Sequence, residues 1–242
     1  MSVAVIIPAA GGSTRFGGPQ KKPFVSLGGK PLWQRSAELF WHRPDVSRVY
    51  LVLSHDDRDE FRGRFGHLLM FVNCELVDGG AERFESVHNA LKLVPEDVEF
   101  VAVHDAVRPL TTTAMIDEVF AVAVKSGAAM PAVAVADTLK RVESMTITGT
   151  VPREHLWQAQ TPQVFRRDWL VEAYAKRSGT VTDDAQLLEA LGHAVVVVPG
   201  SVFNFKITTQ DDLKLAEAVV KSRESATLVQ AKSLFDNEPK WD

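Results

Sequence analysis

The chain has 242 residues, 45% of them hydrophobic and 24% charged, with a formal net charge of -4 and a single cysteine. This is the composition of an ordinary globular protein with a sizeable core, and a pI near 6.0 leaves no global electrostatic footprint for nucleic acid. Cys74 has no partner for an internal disulfide, and no apolar run approaches the roughly 18–20 residues that cross a bilayer.

In chain order, residues 3–8 form a continuous apolar run, the pattern of a strand buried on both faces. The run lacks a basic leader and passes straight into glycines, so it reads as a first strand rather than a signal segment, and the expected location is the cytoplasm. A helix is expected over 31–42, with Leu32, Ala37, Leu39 and Phe40 as its apolar side. Strands follow at 49–53 and 72–77, with Asp56-Asp57 between them as polar loop. The next elements are a helix at 82–94, a strand at 100–103 ending in His104-Asp105, a helix at 111–125 and a strand at 128–135.

This alternation predicts an α/β fold with a largely parallel sheet, in which ligands bind beyond the carboxyl ends of the strands. The rhythm breaks at about 136–158. There, runs at 135–141 and 146–151 around a Glu143-Ser144 turn suggest a β-hairpin arm that a partner chain stabilises. Helices at 167–176 and 183–191, strands at 194–198 and 203–207, and a helix at 210–222 complete the pattern. In the run Thr182-Asp183-Asp184 the threonine reads as a helix cap, with the acids favouring the dipole. One domain is expected over 1–225, followed by a loosely held tail over 226–242.

The chemistry-bearing residues gather at the predicted strand ends. Pro8-Ala9-Ala10-Gly11 lets backbone N–H groups approach a phosphate or a base, yet it is neither a P-loop nor a dinucleotide fingerprint. Arg15, Lys21 and Lys22 follow closely, and a polyanion would relieve their mutual repulsion. Gly79-Gly80 allow close backbone approach ahead of a helix whose first turns carry Ser86. Asp105 could bind a ribose hydroxyl or a metal on phosphates, and Arg108 a phosphate, or the two could simply pair with each other. Lys206 is the lone charge in an apolar run. His104 is assigned no role.

The ordered set resembles the 2-C-methyl-D-erythritol 4-phosphate cytidylyltransferases of the non-mevalonate isoprenoid pathway, from Val3 to about Val219. The resemblance rests on Pro8-Ala9-Ala10-Gly11, Arg15 and Lys22, then Gly79-Gly80, Arg83 and Ser86. It continues through Val103-His104-Asp105-Ala106 with Arg108-Pro109, and Asp137-Thr138, Lys140, Arg153 and Leu156-Trp157. Gln160-Thr161-Pro162-Gln163 with Phe165, Thr182-Asp183-Asp184, and Lys206 with Thr208 complete it. The chain departs from the family pattern at Ser13, where a second glycine is frequent, at Lys22-Pro23-Phe24, and before Lys206, where only Asn204 is kept.

The resemblance implies a Rossmann-like fold and a homodimer whose arms interlock. It places CTP on Ala9, Ala10, Gly11, Gly80, Ser86, Asp105 and Ala106. Arg15, Lys22 and Lys206 become the catalytic cations. The sugar-alcohol phosphate falls on Asp105, Arg108 and Thr161, with Thr138 and Arg153 supplied at least partly by the partner. Mg²⁺ would ride mainly on the phosphates, with Asp105 as a protein contact. No nucleic acid or membrane partner is expected. Two other readings stay open: a ribitol 5-phosphate cytidylyltransferase, and a non-catalytic nucleotide-binding protein on the same fold. A nicotinamide-dependent oxidoreductase is opposed by the missing fingerprint.

Overall fold

The computed structural model describes residues 1–11, 16, 21–177, 179 and 181–236, the last eleven by backbone alone. Strand β1 (Val3–Pro8) sends Val3, Val5 and Ile7 into one buried layer, and Ala4 and Ile6 into another. A small hairpin, β2 (Ser26–Leu27) with β3 (Lys30–Pro31), leads into helix α1 (Leu32–Glu38). Then come β4 (Val46–Leu53), α2 (Arg58–Leu69), β5 (Cys74–Asp78), α3 (Arg83–Leu91) and β6 (Phe100–Val103). Helix α4 (Thr113–Ser126) starts where the Thr112 hydroxyl accepts the Met115 N–H at 3.3 Å. It ends at Gly127, whose φ of 87° only glycine adopts cheaply and where any Cβ would strike the Trp169 ring. The chain continues through β7 (Ala128–Ala134), the hairpin β8 (Leu139–Glu143) with β9 (Thr146–Val151), β10 (Trp157–Ala159) and β11 (Gln163–Arg166). Helices α5 (Arg167–Ala175) and α6 (Ala185–Glu189), strand β12 (Val196–Pro199) and helix α7 (Gln210–Asp236) finish it.

The main sheet has the order β10-β7-β11-β6-β1-β4-β5, with β12 on β7. It is mostly parallel; β10 and β11 run against their neighbours. Side chains of α1, α2 and α4, including Trp33, Phe61 and Ile116, fill one face together with Phe40 after α1. Those of α3, α5 and α6, including Val87, Leu170 and Leu188, fill the other. A third cluster around Leu27, Val107, Ile207 and Val220 seats α7. The Cys74 thiol is pushed up to about 12 by burial, which leaves it inert as a nucleophile. Among the described residues no helix is long and apolar enough to cross a membrane.

Several sequence expectations are corrected. The charged run after β4 gives no helix signal, yet α2 forms there. Gly63 and Gly66 dilute its helical pattern, while Phe61 is fully buried against Trp33 at 4.8 Å between ring centroids. Strand β11 hides in a short stretch behind Pro162, and β10 likewise carries no alternation. The segment expected as a strand at 203–207 is turn and coil, held by side-chain bonds. Helix α1 is shorter than expected and α7 longer, reaching Asp236. The hairpin turns at Ser144-Met145, both at positive φ, one residue later than expected, and its first strand begins only at Leu139.

Phe61→Ala should therefore cost about 3–5 kcal/mol, the usual range for emptying a packed aromatic site. Urea unfolding measures it; a loss below about 1 kcal/mol would mean that α2 is not anchored in the core.

Candidate active site

Strands β4 and β5 lie to one side of β1, and β6 lies on the other. The crevice beyond the carboxyl ends of β1 and β6 is thus a topological switch point. A cavity of about 250 Å³ opens there, lined by Ala9, Ala10 and Gly11 after β1, by Gly80, Arg83 and Ser86 after β5, and by Asp105 after β6. Lys22, Glu82 and Lys206 also reach its wall. Larger clefts elsewhere, near Trp169 and beside β5, hold none of these residues. A Cβ on Gly79 would stand 2.6 Å from the Ala10 Cβ, so the two strand ends approach this closely only because residue 79 is glycine. The Gly80 N–H donates to the Ser86 hydroxyl at 3.1 Å, and that hydroxyl donates to the Glu82 carbonyl at 3.2 Å.

Asp105 is the hub. Register explains its surroundings: β11 is antiparallel to β6 with Gln163 opposite Val103, which brings Thr161 alongside Asp105. The Asp105 N–H donates to the Thr161 hydroxyl at 3.1 Å. Its carboxylate meets Lys206 at 2.9 Å, Arg83 at 3.4 Å and Arg108 at 3.6 Å. Burial alone would raise its pKa. The Arg83, Lys206 and Arg108 charges outweigh that and hold it well below the usual carboxylate range, so Asp105 is ionised at neutral pH. Arg83 is fixed on its far side by Asp184 at 2.8 Å. Arg108 donates to the Asn204 carbonyl at 2.6 Å. Asn204 is buried; it donates to the Thr161 carbonyl at 3.0 Å and accepts the Thr111 hydroxyl at 2.7 Å, pinning the loop that carries Lys206.

His104 completes this frame. Thr161 accepts from Asp105, so its own hydroxyl is free to donate to His104 Nδ1, 3.1 Å away, and Nε2–H then donates to the Arg108 carbonyl at 3.2 Å. That chain of donors requires the neutral Nε2–H tautomer. Burial lowers the His104 pKa to about 4, which agrees.

The expected site residues divide clearly. Ala9, Ala10, Gly11, Lys22, Gly80, Ser86, Asp105 and Lys206 line one cavity. Lys21 does not; it pairs with Asp57 at 2.7 Å and donates to Ser54 at 3.2 Å. Arg108 and Thr161 stand behind Asp105. Ala106 is buried, its carbonyl accepting the Ser36 hydroxyl at 3.0 Å, and does not line the cavity. Thr138 and Arg153 are exposed on the arm side and do not line the cavity of their own chain; Arg153 donates to the Ala136 carbonyl. Arg15 lies outside the described residues. The Asp105–Arg108 pair is buried, so it is not a surface ion pair.

Thr182 does not cap α6 through its hydroxyl, which turns to Gln186. Asp183 accepts the Gln186 N–H at 3.1 Å instead. Asp184 points inward, away from the dipole role expected of it. Sequence reasoning gave Tyr174 no role, Asp184 only that of a helix-start acid and Asn204 only a place in the family pattern; their burial reveals the rest. Among the described residues no three His, Cys, Asp or Glu side chains cluster as metal ligands. Asp105 already faces Lys206, so this donor set does not form a protein-built cation cage. It fits only an ion that arrives on phosphates and takes at most one carboxylate oxygen.

An open, mostly parallel sheet with a cation-rich cavity at its switch point defines an α/β protein of the nucleotide-handling class. Residues 3–222 match the family model described as IspD, 2-C-methyl-D-erythritol 4-phosphate cytidylyltransferase. A relative of that name from Rhodopirellula baltica is 43% identical, covering 90% of this chain and 95% of the relative. Another, from Bacillus velezensis, is 40% identical over 92% of this chain and 97% of its own length. The crystal structure of the 2-C-methyl-D-erythritol 4-phosphate cytidylyltransferase from Thermus thermophilus superposes with a TM-score of 0.77 at 34% identity, covering 91% of this chain and all (100%) of that one. The chain belongs to the 2-C-methyl-D-erythritol 4-phosphate cytidylyltransferase family, a family of nucleotidyltransferase enzymes.

The neutral His104 ring sets a pH dependence. Its folded pKa lies near 4, below the ordinary 6.5, so the stability it contributes is complete above pH 6.5 and is lost as the pH falls toward 4. Nitrogen-15 NMR at pH 6 should find the ring neutral with the proton on Nε2; a ring titrating near 6.5 would contradict this geometry.

Proposed function

We propose that the cavity transfers CMP from CTP to 2-C-methyl-D-erythritol 4-phosphate and releases pyrophosphate, in the cytoplasm, as a step of isoprenoid precursor synthesis. The observation that carries this is the cluster at the switch point. Lys22, Arg83 and Lys206 reach one glycine-walled cavity around an ionised Asp105, in a chain whose overall charge is negative.

The reaction follows from charge. An oxygen of the substrate phosphate bonds to the α-phosphorus of CTP, the bond from that phosphorus to the bridging oxygen breaks, and pyrophosphate departs with the electron pair. The nucleophile is already an anion, so no strong base is required, and the one buried histidine, neutral and doubly hydrogen-bonded, is not placed to act as one. The barrier is the approach of anions and the extra charge at phosphorus, which fixed cations lower. In this assignment Ala9, Ala10, Gly11, Gly80 and Ser86 hold the nucleotide by backbone and hydroxyl contacts, with Asp105 beside the ribose end. Lys22, together with Arg15, grips the triphosphate. Lys206 and Arg108, oriented by Asp105 and Asn204, receive the methylerythritol phosphate beside Thr161. A divalent ion such as Mg²⁺, bound mainly to the phosphates, would add Lewis-acid charge stabilisation there.

Thr138 and Arg153 would serve the site of a second copy. The hairpin of β8 and β9 supports an arm-mediated homodimer: Met145 at its tip is 95% exposed, and Val142 and Ile147 are more than half exposed at 51% and 61%. A two-stranded ribbon with this much uncovered apolar surface gains its stability from a partner.

Pyrophosphate release from CTP should be much faster with methylerythritol phosphate than with ribitol 5-phosphate. Preference for ribitol phosphate would keep the chemistry and change the substrate; release with neither, in protein that binds CTP, would leave a binding protein. Lys22→Ala should lower turnover about 10²–10³-fold, the usual cost of one electrostatic group, while Lys21→Ala lowers it far less. A larger loss in Lys21→Ala would reverse that assignment. In analytical ultracentrifugation the wild type should sediment as a dimer and Val142→Asp/Ile147→Asp as a monomer; a dimeric double variant would place the interface elsewhere.

A further inference from the structure

Asp184 is 1% exposed and takes no part in the reaction assigned above. Both its carboxylate oxygens are occupied. One accepts the Tyr174 hydroxyl at 2.5 Å, and the other accepts an Arg83 N–H at 2.8 Å. Tyr174 is buried on α5 and Asp184 directly precedes α6, so two helices of one layer hold a charge at the inner rim of the cavity. Arg83 is therefore one guanidinium between two carboxylates. It lies close to Asp184 and farther from Asp105, at 3.4 Å through Nε. Lys206, at 2.9 Å, is the near partner of Asp105.

A guanidinium matches a carboxylate best when both of its forks engage, and an ammonium competes poorly with that geometry. With the Asp184 charge removed, Arg83 would be left partly desolvated with Asp105 as its remaining carboxylate, a strong drive to close on it. We propose that Asp184, braced by Tyr174, is a positioning residue: it holds Arg83 back so that Asp105 keeps Lys206, and it thereby sets where the Lys206 ammonium stands. The inference rests on the reading of Lys206 as a catalytic cation. Asp184 touches no substrate in this account and acts through Arg83.

The test is Asp184→Asn, which keeps the shape and removes the charge, examined by crystal structure, by CTP affinity in calorimetry and by steady-state kinetics. Arg83 should move onto Asp105 with both forks, and Lys206 should leave it. Turnover should fall at least about tenfold, while CTP affinity changes by less than about threefold, a split that a general loss of structure would not give. Tyr174→Phe should act in the same direction by about three- to tenfold, the effect of one lost hydrogen bond. An unmoved Arg83, or a shifted Arg83 with unchanged turnover, overturns the proposal. If Asp184→Asn does not fold, Tyr174→Phe decides, and wild-type turnover in that variant overturns it. A wild-type protein inactive on methylerythritol phosphate would instead defeat the reading of the reaction, and the position of Arg83 in the crystal would still settle the role of Asp184.

Discussion

Taking a carboxylate out of water costs several kcal/mol unless charges and hydrogen bonds replace the lost hydration. Asp105 is 7% exposed, and Arg83, Arg108 and Lys206 all turn toward it. Meeting that requirement organises everything around the cavity. Arg83 ties in α3 and Lys206 the loop before α7, while Arg108 closes back from the turn after β6. Two elements distant in the chain are thereby held against one strand end. The same arrangement leaves more positive than negative charge at the cavity wall, so the interaction that holds the site together also prepares it for anions.

The hydrogen bonds behind Asp105 make that arrangement rigid. Thr161 uses its oxygen as an acceptor from the Asp105 backbone and its proton as a donor to His104, and His104 passes the chain on to the Arg108 carbonyl. Each group has a single role, so no member can rotate without leaving a buried polar atom unpaired. Asn204 performs the same service for the loop that follows β12. Fixed dipoles and charges of this kind need little reorganisation when charge develops on a bound phosphate.

How much of this was legible in the sequence depends on which physical signal each part leaves. The continuous apolar runs of β1 and β6 mark strands buried on both faces, and the small or acidic residues just after them mark strand ends, so the cavity's walls could be read directly. Helix α2 could not, because its one fully buried anchor, Phe61, lies among charges and glycines. Strand β11 was missed because four residues behind a proline carry no periodicity. Its pairing with β6 and β7 is a long-range fact, and it is this pairing that brings Thr161 to Asp105. Asp184 was legible only as a helix-start acid. Its inward turn depends on Tyr174 and Arg83, whose proximity no local spacing encodes. Spacing likewise does not tell Lys21 from Lys22; only tertiary contact pairs Lys21 with Asp57 and puts Lys22 on the cavity wall.

Strand β11 has a further consequence. It is clamped on both sides, by β6 and by β7, just beyond Thr161, while β10, paired with β7, stands between Thr161 and the exposed hairpin. Pairing on both flanks acts as a mechanical anchor: tension in the hairpin meets β10 before it reaches Thr161. The exposed hairpin and the geometry at Thr161 are therefore kept apart by strand pairing rather than by distance along the chain.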